Sequence, residues 1–451
     1  MQLLNLGNYM PRLNHMKILA IIYIISTPLY AFGTEPDSKN NVLTLNDLEA
    51  VALNQSLDIK SKEYEVIAIQ EKSQSLTSNY IPKLSLEGSY KYLSEIPEIN
   101  IAPGRVLKFG DNINYSIGPT LTMTLFDFGA KSQLQKSLNM NVSAKKNEVN
   151  NLKSNVLFKS RFHYINLALL LEKRAVIANS LKVAQKQLKD VSSKQRFGSG
   201  SRLDLLTAQK EVHELESLLK ETSFNIEAEK SELYKVSSSQ KIKETNFESA
   251  QNYLEKLEFI KNRFISYKSR NYITIENARI KSLKDQSESL ENQASSISKQ
   301  RYPKVNLFAK SSLDYPNGPD LTQFNQNAVG ITLSMPIFDG GEISHSASEK
   351  QNQALALSHQ VLNEERNLNE SIHLLLKRID NLTEQNEIIQ KKIIESNEIS
   401  KLLYKSYLEG HTTFIEVERA NVKSREAQLN LSANVYQITF NLIQLANIAG
   451  E

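Results

Sequence analysis

Between Ile113 and Leu125 apolar and polar side chains alternate, with Ile113, Tyr115, Ile117, Leu121, Met123 and Leu125 set against Asn114, Ser116, Thr120, Thr122 and Thr124. A period of two predicts a β-strand with one apolar and one polar face. The alternation returns as Val329, Ile331, Leu333, Met335 and Ile337 against Gly330, Thr332, Ser334 and Pro336. Weaker alternation precedes each run, in Leu84, Leu86, Tyr90 and Tyr92 and in Val305, Leu307 and Leu313. Strand pairs are therefore expected within residues 83–126 and 304–338. Taken alone, such pairs fit the half-buried hairpin of a soluble domain as well as a wall between lipid and water.

Elsewhere the pattern lengthens to the helical period. From Gly129 to about Arg196 and from Gly341 to about Leu408 there is no proline and no internal glycine. Unbroken helices over 129–196 and 341–408 follow, each roughly 100 Å long at 1.5 Å per residue. A rod of that length has no core of its own and must pack sideways on others. Partners are offered by 204–236, where Leu205, Ala208, Val212, Leu215, Leu219, Thr222, Ile226, Glu229, Leu233 and Val236 form a heptad seam. In 414–449 the seam is Val417, Ala420, Ser424, Ala427, Leu431, Asn434, Ile438, Asn441, Leu445 and Ile448. Its small and polar members suit a wall facing water. Thr44-Leu45-Asn46-Asp47 reads as a capping box opening a helix that runs to about Tyr80, where Pro82 stops it. The helices before each strand pair and after each turn are about half as long as the unbroken ones, so two stacked end to end match one.

These elements are duplicated. Ile117-Gly118-Pro119-Thr120-Leu121-Thr122-Met123-Thr124-Leu125-Phe126-Asp127 matches Val329-Gly330-Ile331-Thr332-Leu333-Ser334-Met335-Pro336-Ile337-Phe338-Asp339 at an offset of 212 residues. The same offset carries Gly198, Ser201, Leu203, Asp204, Leu205 and Ala208 onto Gly410, Thr413, Ile415, Glu416, Val417 and Ala420. Upstream, Ile81-Pro82-Lys83-Leu84 matches Tyr302-Pro303-Lys304-Val305 at 221, so the first repeat holds nine more residues between its strands. The organisation read from this is a first repeat over 44–236, a connector over 237–270 and a second repeat over 271–449. Tight turns at 197–203 and 409–413 reverse the chain. Gly198, Gly200 and Gly410 tolerate left-handed backbone, and Ser201-Arg202-Leu203-Asp204 and Thr413-Phe414-Ile415-Glu416 have the form of capping boxes.

Composition narrows the function. Glycine numbers 15 and proline 11, which favours long helices. The 54 basic and 50 acidic residues are interspersed, so no basic stripe points to nucleic acid. Zero cysteines exclude disulfides, thiolate metal sites and a cysteine nucleophile. His345, His359 and His373 recur every 14 residues, about 21 Å apart along a helix, too far to share a metal. No phosphate-binding loop, zinc pattern or nucleophile motif is present, so neither a cofactor nor an enzymatic activity is expected. Lys17, the apolar run 18–25 and the small residues Ala31 and Gly33 read as a secretory signal peptide over 1–33, followed by a linker over 34–43. After residue 33 no run approaches the roughly 20 apolar residues of a membrane helix, so any insertion must use strands closed into a barrel.

The junctions Leu125-Phe126-Asp127-Phe128-Gly129 and Ile337-Phe338-Asp339-Gly340-Gly341, the tip motif Gly198-Ser199-Gly200-Ser201-Arg202-Leu203-Asp204-Leu205-Leu206-Thr207-Ala208-Gln209, and the order of the duplicated elements resemble the TolC family of outer-membrane factors over roughly residues 44–449. That resemblance implies a mainly α fold with a transmembrane β portion: four strands per protomer of a homotrimeric twelve-stranded barrel, continued by an α-helical coiled-coil barrel in the periplasm. Four strands alone leave edges that lipid does not tolerate. It also implies an exit duct of a tripartite efflux pump or type I secretion system. Such a duct passively conducts what an inner-membrane RND, ABC or MFS transporter and a periplasmic adaptor deliver. The adaptor contacts would fall on Gly198, Gly200, Ser201, Arg202, Leu203, Gly410, Thr412, Thr413 and Ile415. Asp204 and Glu416 align with acidic residues that ring the constricted pore in this family, although the same carboxylates also suit helix caps. Where some members carry a second acid, this chain has Arg419, a departure from a double carboxylate ring. A periplasmic adaptor or a structural coiled-coil protein is the competing reading; adaptors carry one helical hairpin, and this chain has two.

Overall fold

The computed structural model describes residues 44–237, 253–269 and 277–450. The expected signal peptide and linker, and most of the connector, lie outside the described residues. Helices α1 (Leu45–Gln55) and α2 (Leu57–Thr77) lead to strand β1 (Lys83–Tyr92), the short β2 (Glu98–Ala102) and β3 (Arg105–Lys108), and the long β4 (Ile113–Phe126). The unbroken α3 (Ala130–Arg196) and its return α4 (Arg202–Ser237) complete the first repeat. After α5 (Tyr253–Phe264) the second repeat runs α6 (Ala278–Ser298), β5 (Lys304–Tyr315), β6 (Phe324–Ser334), α7 (Glu342–Leu408) and α8 (Phe414–Ile448).

Both long helices have 67 residues and start within one residue of the expected position. Three expectations are corrected. The first helix is two, because Ser56 takes ψ 118° and its hydroxyl accepts from the Ile59 amide, restarting the helix as a new N-cap. The strand expected to reach 338 ends at Ser334, since Pro336 has no N–H to extend the ladder. The polar members of the α8 seam do not face water within the chain: Ser424, Asn434 and Asn441 are buried, and the Asn434 amide donates to the Leu382 carbonyl of α7. The extra residues of the first repeat form the β2–β3 hairpin.

The main sheet is antiparallel throughout, in the order β1-β4-β5-β6, so β1 and β6 are its edges. Register places Leu84 opposite Leu121, Leu121 opposite Ala309 and Ala309 opposite Val329, so apolar residues fall in rows on one face. That face is uncovered in the single chain, with Leu84 at 73% and Val329 at 77% exposure. No helix among the described residues is long and apolar enough to cross a membrane.

The helices hold one another laterally. α2 and α4 pack along α3, and α8 packs along α7. α6 lies against both long helices, where its serines allow close approach: Ser289 donates to the Ser137 carbonyl, Ser287 to Ala354 and Ser296 to Ala130. At mid-length Leu48, Ile165, Leu233, Leu257, Ile379 and Leu442 form the largest core, drawn from α1, α3, α4, α5, α7 and α8. The described part of the connector, α5, thus serves as a wedge. Glu49 beside it receives Arg161 at 2.6 Å and Arg263 at 2.7 Å.

Two sheet glycines separate packing from propensity. A Cβ on Gly118 would lie 2.0 Å from the Ser311 carbonyl oxygen, whereas one on Gly88 meets nothing closer than 3.8 Å. Gly118→Val is expected to abolish the strand band in the infrared spectrum of the purified protein, and Gly88→Val to retain it; equal bands would contradict this account of the β4–β5 approach.

Candidate functional site

The two repeats use one device where strand becomes helix. The Asp127 carboxylate accepts from the amides of Gly129 and Lys131 at 3.1 and 3.0 Å. Asp339 accepts from those of Gly341 and Ile343, both at 3.0 Å. Gly129 and Gly341 sit at φ +81° and +91°, which frees the chain to turn into the helix. Bonds from the Ile343 and Gly341 amides hold the Asp339 carboxyl below its ordinary range. The aspartates of the two matched junctions are therefore N-terminal anchors of the 67-residue helices.

At the opposite ends the hairpins turn in the same way. The Ser199 amide donates to the Lys194 carbonyl and that of His411 to Ser406, closing Schellman-type ends around Gly198 (φ +80°) and Gly410 (φ +85°). Gly200 packs on the last turn of α3, where a Cβ would come within 2.7 Å of the Gln195 nitrogen. Arg202, Leu203 and Thr413 are exposed at these turns, with Thr412 and Ile415 half-buried. Phe197, at 87% exposure, and Leu203 add an apolar surface to the first tip.

The restarts differ from the expected capping boxes. Ser201 caps α4 by accepting from the Leu203 amide at 3.1 Å, which starts that helix two residues early. Asp204 does not complete a box; its carboxylate crosses to the other hairpin and accepts from the Phe414 amide at 3.2 Å. Thr413, the N-cap residue of α8, makes no side-chain cap, and the Phe414 amide that follows it is satisfied from α4. Glu416 instead takes Arg419 at 3.2 Å, an exposed pair one turn apart that contributes little to stability.

Around that crossing lies a clasp. The Tyr404 hydroxyl donates to Asp190, and burial followed by that carboxylate raises the phenol's pKa. The Lys194 ammonium donates to the Tyr407 and Leu408 carbonyls at 2.9 and 2.8 Å, meeting the negative end of α7. Beneath, Val191, Ala208, Tyr407, Phe414 and Val417 bury one another. One step further from the tips Arg425 reaches Glu211 at 2.7 Å, and burial outweighs the guanidinium to push that carboxyl up. Sequence reasoning found Asp204 by its place after the turn. It missed Asp190, Lys194, Glu211, Tyr404 and Arg425, whose partners lie more than 200 residues away and leave no local trace.

Residues 273–451 match the outer membrane efflux protein family. No curated protein matches the chain by sequence. Among solved structures the outer-membrane channel OprN superposes with a TM-score of 0.75 at 13% identity, covering 92% of this chain and 93% of that one. VceC from Vibrio cholerae gives 0.74 at 15% identity, covering 90% and 96%. CmeC from Campylobacter jejuni gives 0.72 at 15% identity, covering 98% and 94%. The chain therefore has the fold of these outer-membrane channels, in agreement with the resemblance carried by its junction and tip motifs.

The crossed cap has a local readout. Asp204→Ala is expected to speed hydrogen exchange at the Phe414 amide about fivefold, the equivalent of ~1 kcal/mol for a lost helix cap. Glu416→Ala should leave it unchanged. Equal exchange in Asp204→Ala and the parent protein would remove the carboxylate from this role.

Proposed function

We propose that this chain is a TolC-type outer membrane efflux protein and one of three identical protomers of an exit duct, a reading supported by its family match over residues 273–451 and by its fold. One observation carries the reading: an antiparallel four-stranded sheet with two open edges and an uncovered apolar face, borne on helices of 67 residues. Strand direction alternates across β1-β4-β5-β6, so β6 of one copy meets β1 of the next antiparallel and three copies make twelve strands. Strands of 10 to 14 residues match the length needed to cross a bilayer when tilted. The apolar face then meets outer-membrane lipid, the polar face lines water, and the helices extend the pore through the periplasm.

In this reading the chain is a conduit and not an enzyme. An inner-membrane RND, ABC or MFS transporter supplies the energy, and a periplasmic adaptor docks on the tip turns. Efflux of small molecules and type I secretion both use such a duct. The clasp of Asp204, Tyr404, Asp190 and Lys194 ties the two hairpins of one protomer together and supports a closed resting state. Opening requires those contacts to part as the hairpins rotate or splay, a switch between two packed arrangements.

Two measurements test this. The protein should need detergent for extraction and run on gels as a trimer that heating dissociates; a monomer soluble without detergent would end the reading. In planar bilayers Asp204→Ala/Glu416→Ala should raise conductance, with most of the gain from Asp204, since Glu416 is engaged by Arg419 of its own helix. Unchanged conductance in the double variant would take both residues out of the gate.

A further inference from the structure

Where the sheet meets the helices, its polar face borders a concavity of about 640 Å³. Three lysines from three separate elements line it: Lys83 opening β1, Lys304 opening β5 and Lys131 in the first turn of α3. Thr122, Thr124, Asn306 and Thr332 supply the rest of its polar lining, Phe308 and three other apolar residues the remainder, and no carboxylate lines it. Register fixes the lysines on this side of the sheet, since Lys83 stands opposite Thr122 and Lys304 opposite Ser334, on the face away from Leu84 and Val329. Burial, then Lys304, holds the Lys131 ammonium below its ordinary pKa; Asp127 opposes this and Lys83 adds to it.

The nearby acids are engaged by the backbone. Asp127 accepts two amides at the start of α3, and Asp339 accepts two at the start of α7 with Arg301 close enough to act on it. Further along the polar face Lys91 and Lys310 are set against Glu87 and Asp314, so the basic excess lies at the base. Lys131 also rests over the Tyr80 ring, its ammonium 5.5 Å from the centroid, which holds one of the three charges in place at the recess. Like charges gathered in a polar recess between low-dielectric walls raise the local concentration of oppositely charged solutes.

We propose that Lys83, Lys131 and Lys304 form an anion-binding collar where the sheet joins the helices, favouring passage of solutes that carry phosphate, sulfonate or carboxylate groups. This rests on the trimeric-duct reading, in which the polar face lines the pore. Three lysines per protomer then encircle the path at the base of the barrel. The collar acts on cargo charge, independently of the tip clasp at the far end of the long helices.

The test uses the full-length trimer in planar bilayers, with inositol hexakisphosphate added on the barrel side as a soluble polyanion. Wild-type current should be blocked, less so as salt screens the lysines. Lys83→Gln/Lys131→Gln/Lys304→Gln should raise the half-blocking concentration roughly tenfold and move the reversal potential in a KCl gradient toward cation preference. The corresponding triple arginine variant should keep the block. A conducting glutamine variant blocked as readily as wild type overturns the collar and leaves the duct intact. Folded wild-type protein that forms no conducting trimer overturns the duct and the collar together.

Discussion

A β-sheet that enters lipid must pair every backbone group, and one chain of this protein supplies only four strands of the main sheet among its described residues. Its edges, β1 and β6, retain unpaired ladders, and its apolar rows have nothing to cover them. The rest of the architecture can be read as a response. The helices are too polar to bury themselves in a membrane and too long for a globular core, so they pack side by side along an axis set by the strands. In the proposed trimer, closure by identical neighbours answers both needs at once. There the same edge-to-edge step that completes the strand ladder would bring the helices of successive protomers alongside one another.

Duplication explains how a single chain builds two nearly equivalent rods and where equivalence stops. Local devices are shared: the aspartate anchors at the strand-to-helix junctions and the glycine turns at the tips recur with the same hydrogen bonds. Contacts between the repeats cannot be symmetrical, because each repeat sees the other from a different side. Asp204 therefore caps the start of α8 while its counterpart Glu416 turns to Arg419. Lys194 and Asp190 of the first repeat likewise reach into the second. This asymmetry gives the tips their clasp, placing a few polar links between the two packed hairpins that the proposed opening would part.

Charge is deployed differently at the two ends of the long helices. Near the tips, Asp190, Lys194 and Asp204 are engaged across helices, while Glu416 pairs with Arg419 of its own helix. At the base of the sheet, lysines gather on the polar face while the adjacent aspartates serve helix starts. In the proposed duct, electrostatics would then be a means of discrimination, with the two ends acting on different steps, release and passage.

The sequence by itself determined the strand alternation, both long helices to within a residue, the turns and the repeat, because each depends on neighbours a few positions apart. It also located the junction aspartates and Asp204. It misread what those groups do whenever the partner was remote. A carboxylate three residues after a serine looks like half of a capping box, yet the Phe414 amide offered a competing donor from another helix. The buried asparagines of the α8 seam look water-facing until α7 is laid beside them. Which serines let α6 lie between the long helices, where the connector wedges, and which lysines share one recess were decided by tertiary structure alone, since packing brings together residues that chain order keeps a hundred or more positions apart.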